Sequence, residues 1–232
     1  MPIDLTGPST SLYCERSSPD FWAEPLNALT SLLVVLVAIV GYGLLWRRGL
    51  LSPSVTVLTA LAGAIGIGSF LLHSFATKWA EVADVVPIWA FVMIYGVLAL
   101  RRFAPGRHKV PLAIGFGIAI FGSGVALAVG DPSGMVRGAT TESLSGTAQY
   151  APAIVMVIAV IWAIWRARHP SLKHLSLGVG LFVLALTFRS FDMLLCDRVP
   201  TGTHFMWHLT NCLVFWHLIS TYASHGAAQG AS

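Results

Sequence analysis

Apolar runs of about 20 residues recur along this chain, the length a helix needs to cross about 30 Å of hydrocarbon. They extend roughly from Leu26 to Trp46, Val55 to Phe75, Val82 to the Arg101-Arg102 pair, Pro111 to Val129, Tyr150 to Trp165, Leu175 to Leu195 and His204 to Ala223. Lipid offers the backbone no hydrogen-bond partners, so such runs fold as helices whose bonds are internal. The composition agrees. Of 232 residues 56% are hydrophobic and 10% charged, and mean hydropathy is +0.75, whereas soluble domains carry about 25% charged residues. The expected fold is an all-α integral membrane protein with seven transmembrane helices. It would form one domain over 1–232, with 1–25 as a polar amino-terminal segment and 26–225 as the helical bundle. The first eleven residues lack a basic start and an apolar core, so no cleavable signal peptide is expected. A net charge of +4 is too diffuse for nucleic-acid binding; it suits arginines that anchor loops on one side of a bilayer.

The distribution of Lys and Arg predicts an orientation. Alternate loops hold Arg47, Arg48, Arg101, Arg102, Arg107, Lys109, Arg166, Arg168 and Lys173, nine in all, against Arg16, Lys78, Arg137 and Arg198 on the other side. The richer side is cytoplasmic, which puts the N-terminus outside and the C-terminus inside. Cys14 and Cys196 then share the outer side. In an oxidising compartment they would form a disulfide, the alternative being two free thiols. Cys212 falls inside the seventh span and is expected to pack as a small apolar residue. The Gly-, Ser- and Thr-rich stretch 130–149 is the longest connection, and a lid is expected there.

That topology brings several polar residues to one depth. Ser69 and His73 are four apart near the outer end of the second span, one helical turn from each other. Asp84 lies eleven residues on, at the outer start of the third, and His204 and His208 open the seventh. Ionisable groups inside a membrane are costly, so they have a function or a partner. Two imidazoles four apart on a helix can grip one ion, and with His73 they make the three-ligand set of catalytic zinc. Beside zinc, Asp84 would serve as a proton acceptor. Bland readings exist for each residue. The histidines could hydrogen-bond between helices, Asp84 could complement a helix N-terminus, and Ser69 could bond the carbonyl four residues back. A Ser69, His73, Asp84 hydrolase triad would leave His204 and His208 without a role. His108, His169, His174 and His225 are expected to be solvated, and His217 to pack.

The combination resembles the alkaline ceramidase family, in the CREST group of seven-span membrane hydrolases. The family pattern is Ser-x-x-x-His, an Asp eleven residues later followed by a Pro, and His-x-x-x-His on the last span. Here these are Ser69, His73, Asp84 with Pro87, and His204 with His208. Tyr13-Cys14-Glu15 and Ala23-Glu24-Pro25-Leu26-Asn27 resemble the family's Trp-Cys-Glu and Ala-Glu-x-x-Asn. Asp192 with Cys196 resembles its Asp-x-x-x-Cys. The resemblance spans the chain and implies a zinc-dependent amidase that cleaves ceramide into a sphingoid base and a fatty acid. Zinc would sit on His73, His204 and His208, and Ser69 and Asp84 would act on water or oxyanion. The site would be near the extracytoplasmic side of a multi-pass protein whose partner is a membrane lipid.

The resemblance also implies calcium at the amino-terminal segment, with Glu15 and Glu24 as ligands. The chain departs there, with Leu12 where an acidic residue is usual and Ser17 where Asn is. Asp20 is a candidate substitute, but fewer hard oxygens remain than the six to eight calcium prefers, which predicts a weak or absent site. Asp84-Val85-Val86-Pro87 also lacks the family's second carboxylate, which predicts a change in head-group preference. Other classes stay open from sequence: a receptor-like or membrane-organising protein with structural zinc, a haem electron carrier, or a hydrolase of another amide- or ester-linked lipid.

Overall fold

A computed structural model describes residues 6–9, 13–104, 106, 117–119, 121–122 and 147–227. Six α-helices are described along their length: α1 (Pro25–Arg47), α2 (Pro53–Phe75), α3 (Lys78–Phe103), α4 (Ala151–Arg166), α5 (Leu172–Phe191) and α6 (His204–Ala227). Two short 3-10 helices, Thr147–Tyr150 and Met193–Leu195, precede α4 and follow α5. α1, α2, α3 and α5 are long and apolar enough to cross a membrane, while α4 is apolar but has 16 residues. Of the fourth expected span, Pro111 to Val129, only the helical residues 117–119 and 121–122 are described. Most of the 130–149 connection, and Leu12, Arg107, His108, Lys109 and Arg137, lie outside the described residues.

The apolar surface is arranged for lipid. Leu29, Leu36 and Ile39 on α1 and Ile158 and Trp162 on α4 are each more than half exposed. Apolar surface left in water forfeits roughly 25 cal/mol per Å², so these faces belong against hydrocarbon. Inside, Leu45, Leu58, Trp89, Phe103, Met156 and Ile164 are almost fully buried in one cluster joining α1, α2, α3 and α4. α2 packs between α1 and α3, and α6 packs against α1 and α5. The start of α1, end of α2, start of α3, end of α5 and start of α6 therefore meet at one end of the bundle.

At the site end two boundaries move by four residues from where the sequence puts them, each for a local reason. α3 begins at Lys78 rather than near Val82, because Ala76 takes the left-handed conformation (φ 48°) and turns the chain within two residues of α2. Backbone bonds from Ser9 N to Ala76 O (2.7 Å) and Lys78 N to Gly7 O (3.0 Å) hold this turn against the amino-terminal segment. α5 ends at Phe191, short of the expected Leu195, because the Asp192 carboxylate turns away to accept from Thr203 N and His204 N.

Gly68 sets the distance between α2 and α3. A Cβ there would lie 2.1 Å from Ala83 O and 2.8 Å from Asp84 Cα, which is backbone and cannot swing aside. The same close approach brings Ser69 beside Asp84. Gly68→Ala is expected to cost about 1–3 kcal/mol through overpacking, a fall in Tm of a few °C in detergent. Gly43→Ala, where nothing lies within 4 Å of the new methyl, should be neutral or slightly stabilising, since alanine is the better helix former.

Candidate metal centre

His73, His204 and His208 are 1%, 1% and 3% exposed. Each offers one ring nitrogen within 4.8 Å of the others. Helical geometry accounts for their meeting: His204 and His208 share a face of the first turns of α6, and His73 faces them from the last turn of α2. Ring centroids lie 4.7–5.1 Å apart for the three pairs. Polar neighbours orient two of the rings. His73 Nδ1 lies 2.6 Å from Glu24 Oε2, and His208 Nδ1 lies 2.9 Å from Thr30 Oγ1 on α1. Ligating histidines ordinarily engage their second nitrogen in this way, often with a carboxylate. His204 Nδ1 is buried without a hydrogen-bond partner, and a buried imidazole nitrogen left so costs free energy that a ligand would offset. These donors fit a metal that accepts three imidazoles.

Glu24 precedes α1 and is 2% exposed. It also accepts from Asn27 Nδ2 (3.0 Å) and pairs with Arg16. Burial alone would raise its carboxyl pKa, but hydrogen bonds from His73, Asn27 and Arg16 outweigh it and hold the pKa below the ordinary value. Glu15 serves α1 differently. Its two oxygens accept from Leu26 N (2.7 Å) and Asn27 N (2.9 Å), donors in the first turn that no helical carbonyl can reach. Burial pushes the Glu15 carboxyl up despite those bonds.

Beside the histidines, Ser69 Oγ accepts from Ser31 Oγ (3.1 Å) and lies 3.3 Å from His208 Nε2. Together with Asp84 on α3, Ser69 and His208 line the polar end of a cavity enclosed mainly by α3, α4, α5 and α6. From there the walls are apolar, past Phe91 and Met156 to Leu175 and Leu218. The arrangement joins a metal-capable pole, a carboxyl and a hydroxyl to a slot shaped for hydrocarbon.

The amino-terminal segment covers the pole. The Tyr13 ring packs 4.8 Å from His73 and 4.0 Å from His204, centroid to centroid. The next residue, Cys14, is disulfide-bonded to Cys196, and Asp192 Oδ2 accepts from Cys14 N (3.1 Å) while Oδ1 holds His204 N (2.9 Å). This knot requires Gly202. Its φ is +63°, and a Cβ would lie 2.0 Å from Asp192 Oδ1.

Several of these residues escape a reading of sequence. Thr30 and Ser31 resemble ordinary helix hydroxyls, and both do also bond carbonyls one turn back. Arg189, 5% exposed on α5, donates to Tyr13 OH (3.3 Å) and lies 5.3–5.7 Å from the rings of Tyr13, Tyr150 and Trp207. An arginine inside a span was the signal for it, but nothing in the sequence names its neighbours. The other described histidines lie at the far end. His217 Nε2 bonds His174 O (2.7 Å), His169 Nδ1 is 2.7 Å from Ser171 Oγ, and His225 Nδ1 is 3.0 Å from Thr221 O.

The bundle, with four helices long and apolar enough to span a membrane, joins a buried metal-capable pole to an apolar slot, the layout of a membrane-embedded site for an apolar ligand. Comparison with known families makes the class specific: the model described as Ceramidase matches residues 7–229, and the chain belongs to that family. Membership makes it a membrane enzyme that hydrolyses an amide bond, with ceramide as the substrate type. No curated protein matches the chain.

The cysteines give a direct chemical check. Unfolded in denaturant without reductant, the protein should take up alkylating agent only at Cys212, the one free cysteine of three. After reduction all three should react. Labelling of Cys14 or Cys196 before reduction would contradict the bridge.

Proposed function

We propose that the chain uses zinc to hydrolyse ceramide-type N-acyl sphingoid lipids, releasing a sphingoid base and a fatty acid. One observation carries the reading: three buried imidazoles converge, and one of them, His208, lines the polar end of an apolar cavity together with the Asp84 carboxyl and the Ser69 hydroxyl. Three protein nitrogens with room for a further ligand is the donor set of catalytic zinc. Bound to His73, His204 and His208, zinc would lower the pKa of a coordinated water towards about 7 and polarise the amide carbonyl.

The chain's own groups supply the remaining steps. Asp84 accepts the proton released as water adds to the amide carbon, then returns it to the nitrogen as the C–N bond breaks. The sphingoid base leaves as an amine and the acyl group as a carboxylic acid, so atoms and protons balance. The Ser69 hydroxyl donates a hydrogen bond to the oxyanion and keeps its proton; loss of one such donor commonly costs about 100- to 1000-fold in kcat. Glu24 and Thr30 keep His73 and His208 from turning. The cavity between α3, α4, α5 and α6 accepts hydrocarbon and excludes bulk water, so the lipid need not leave the bilayer.

For the topology we propose seven spans with the N-terminus outside and the C-terminus in the cytoplasm, on the nine-to-four basic asymmetry. The centre then lies near the extracytoplasmic surface. A reporter fused at the C-terminus should be active only in the cytoplasm; periplasmic or lumenal activity would overturn the orientation.

The chemical proposal is tested by pairing metal content with ceramide hydrolysis. Asp84→Asn should retain zinc and lose most turnover, whereas His204→Ala should lose both. Ser69→Ala should retain zinc and fall about 100- to 1000-fold in kcat. Turnover by Asp84→Asn at the parental rate would sink the mechanism even with zinc bound.

A further inference from the structure

The Arg16 guanidinium is gripped by four oxygens from three stretches of chain. Its Nε donates to Glu24 Oε1. Nη1 donates to Ser18 O (3.2 Å) and, at longer range, to Asp20 O (3.5 Å), and Nη2 to His73 O (2.6 Å). The side chain is 14% exposed. One carboxylate and three carbonyls converging on a point are the hard oxygen donors that suit calcium. Here they hold a planar cation, whose fork satisfies several of them at once.

We propose that Arg16 is a built-in cation filling the place a calcium ion would take in the amino-terminal segment, so that this chain needs no calcium there. The donor set does not fit calcium while Arg16 is present. Calcium takes six to eight oxygens at about 2.3–2.6 Å, whereas the four oxygens here already face N–H donors. Two cations cannot share one cradle of this size. Glu15, the other expected ligand, has both oxygens committed to Leu26 N and Asn27 N.

The substitution also makes Arg16 a positioning residue for His73. The guanidinium holds the His73 carbonyl directly and the His73 ring through Glu24, whose other oxygen meets Nδ1. A calcium ion can dissociate and makes folding depend on its concentration. An arginine in its place is always charged and always present. The inference concerns the amino-terminal segment and stands whether or not the hydrolysis proposed above takes place.

Calcium titration of the purified protein tests it, with Tm and heat of binding as readouts. The parent should show no saturable heat and no change of Tm with calcium or with a calcium chelator. Arg16→Asn, which removes the cation and offers a carbonyl oxygen, should melt lower. It should also gain a calcium response, with Tm rising by about 2–4 °C or more once calcium exceeds its Kd several-fold. Arg16→Lys, which keeps the charge, should stay unresponsive. Saturable calcium binding by the parent would overturn the proposal, as would a folded Arg16→Asn that ignores calcium. Should Arg16→Asn fold in neither condition, the parent titration decides alone: a flat response upholds the proposal and a saturable one defeats it.

Discussion

The Glu24 carboxylate is the interaction on which the site end of the bundle depends. Taking a carboxylate out of water costs several kcal/mol after relaxation, and this one is almost wholly buried. It is tolerable because three donors meet it: Arg16 from the amino-terminal segment, Asn27 from α1 and His73 from α2. One group thereby fixes the approach of three chain segments and the rotation of one imidazole. Such a pairing contributes little net stability compared with an apolar contact. What it contributes is geometry, and a metal-capable centre needs its rings held in one orientation.

The rest of the architecture separates polar chemistry from apolar volume. Asp192 gathers Cys14 N, Thr203 N and His204 N at the site end. The Tyr13 ring closes over His73 and His204. Gly68 lets α2 and α3 touch backbone to backbone just where Ser69 and Asp84 must meet. Beyond them the cavity is walled by side chains such as Phe91, Met156 and Leu218. The polar groups and the apolar volume thus adjoin in one cavity. Arg189 adds a fixed positive charge to the same neighbourhood as Asp84, His204 and His208, cushioned by Tyr13, Tyr150 and Trp207.

Much of this was legible in sequence, because membrane helices restrict what spacing can mean. Apolar runs announced helices, and two i,i+4 pairs placed Ser69 with His73 and His204 with His208 on shared faces. Helix ends were less legible. They depend on tertiary partners, as with the Asp192 carboxyl that ends α5 by bonding residues eleven and twelve positions away. The supporting groups were hidden for a related reason. Glu24 was expected as a calcium ligand, yet its oxygens face Arg16, Asn27 and His73. Arg16 appeared in sequence only as an outer-side basic residue. No local spacing reveals that a guanidinium from position 16 reaches the carbonyl of His73, since that contact exists only once the segment folds over α2.

If a metal held by His73, His204 and His208 drives amide hydrolysis, metal content and turnover must rise and fall together. The most direct measurement is metal per chain and ceramide hydrolysis on one purified sample, before chelation, after it, and after zinc is returned. The purified protein should hold about one zinc per chain, lose hydrolysis in step with loss of zinc, and recover it to a level reached at one equivalent. Undiminished hydrolysis by the metal-free protein would contradict a metal-driven reaction.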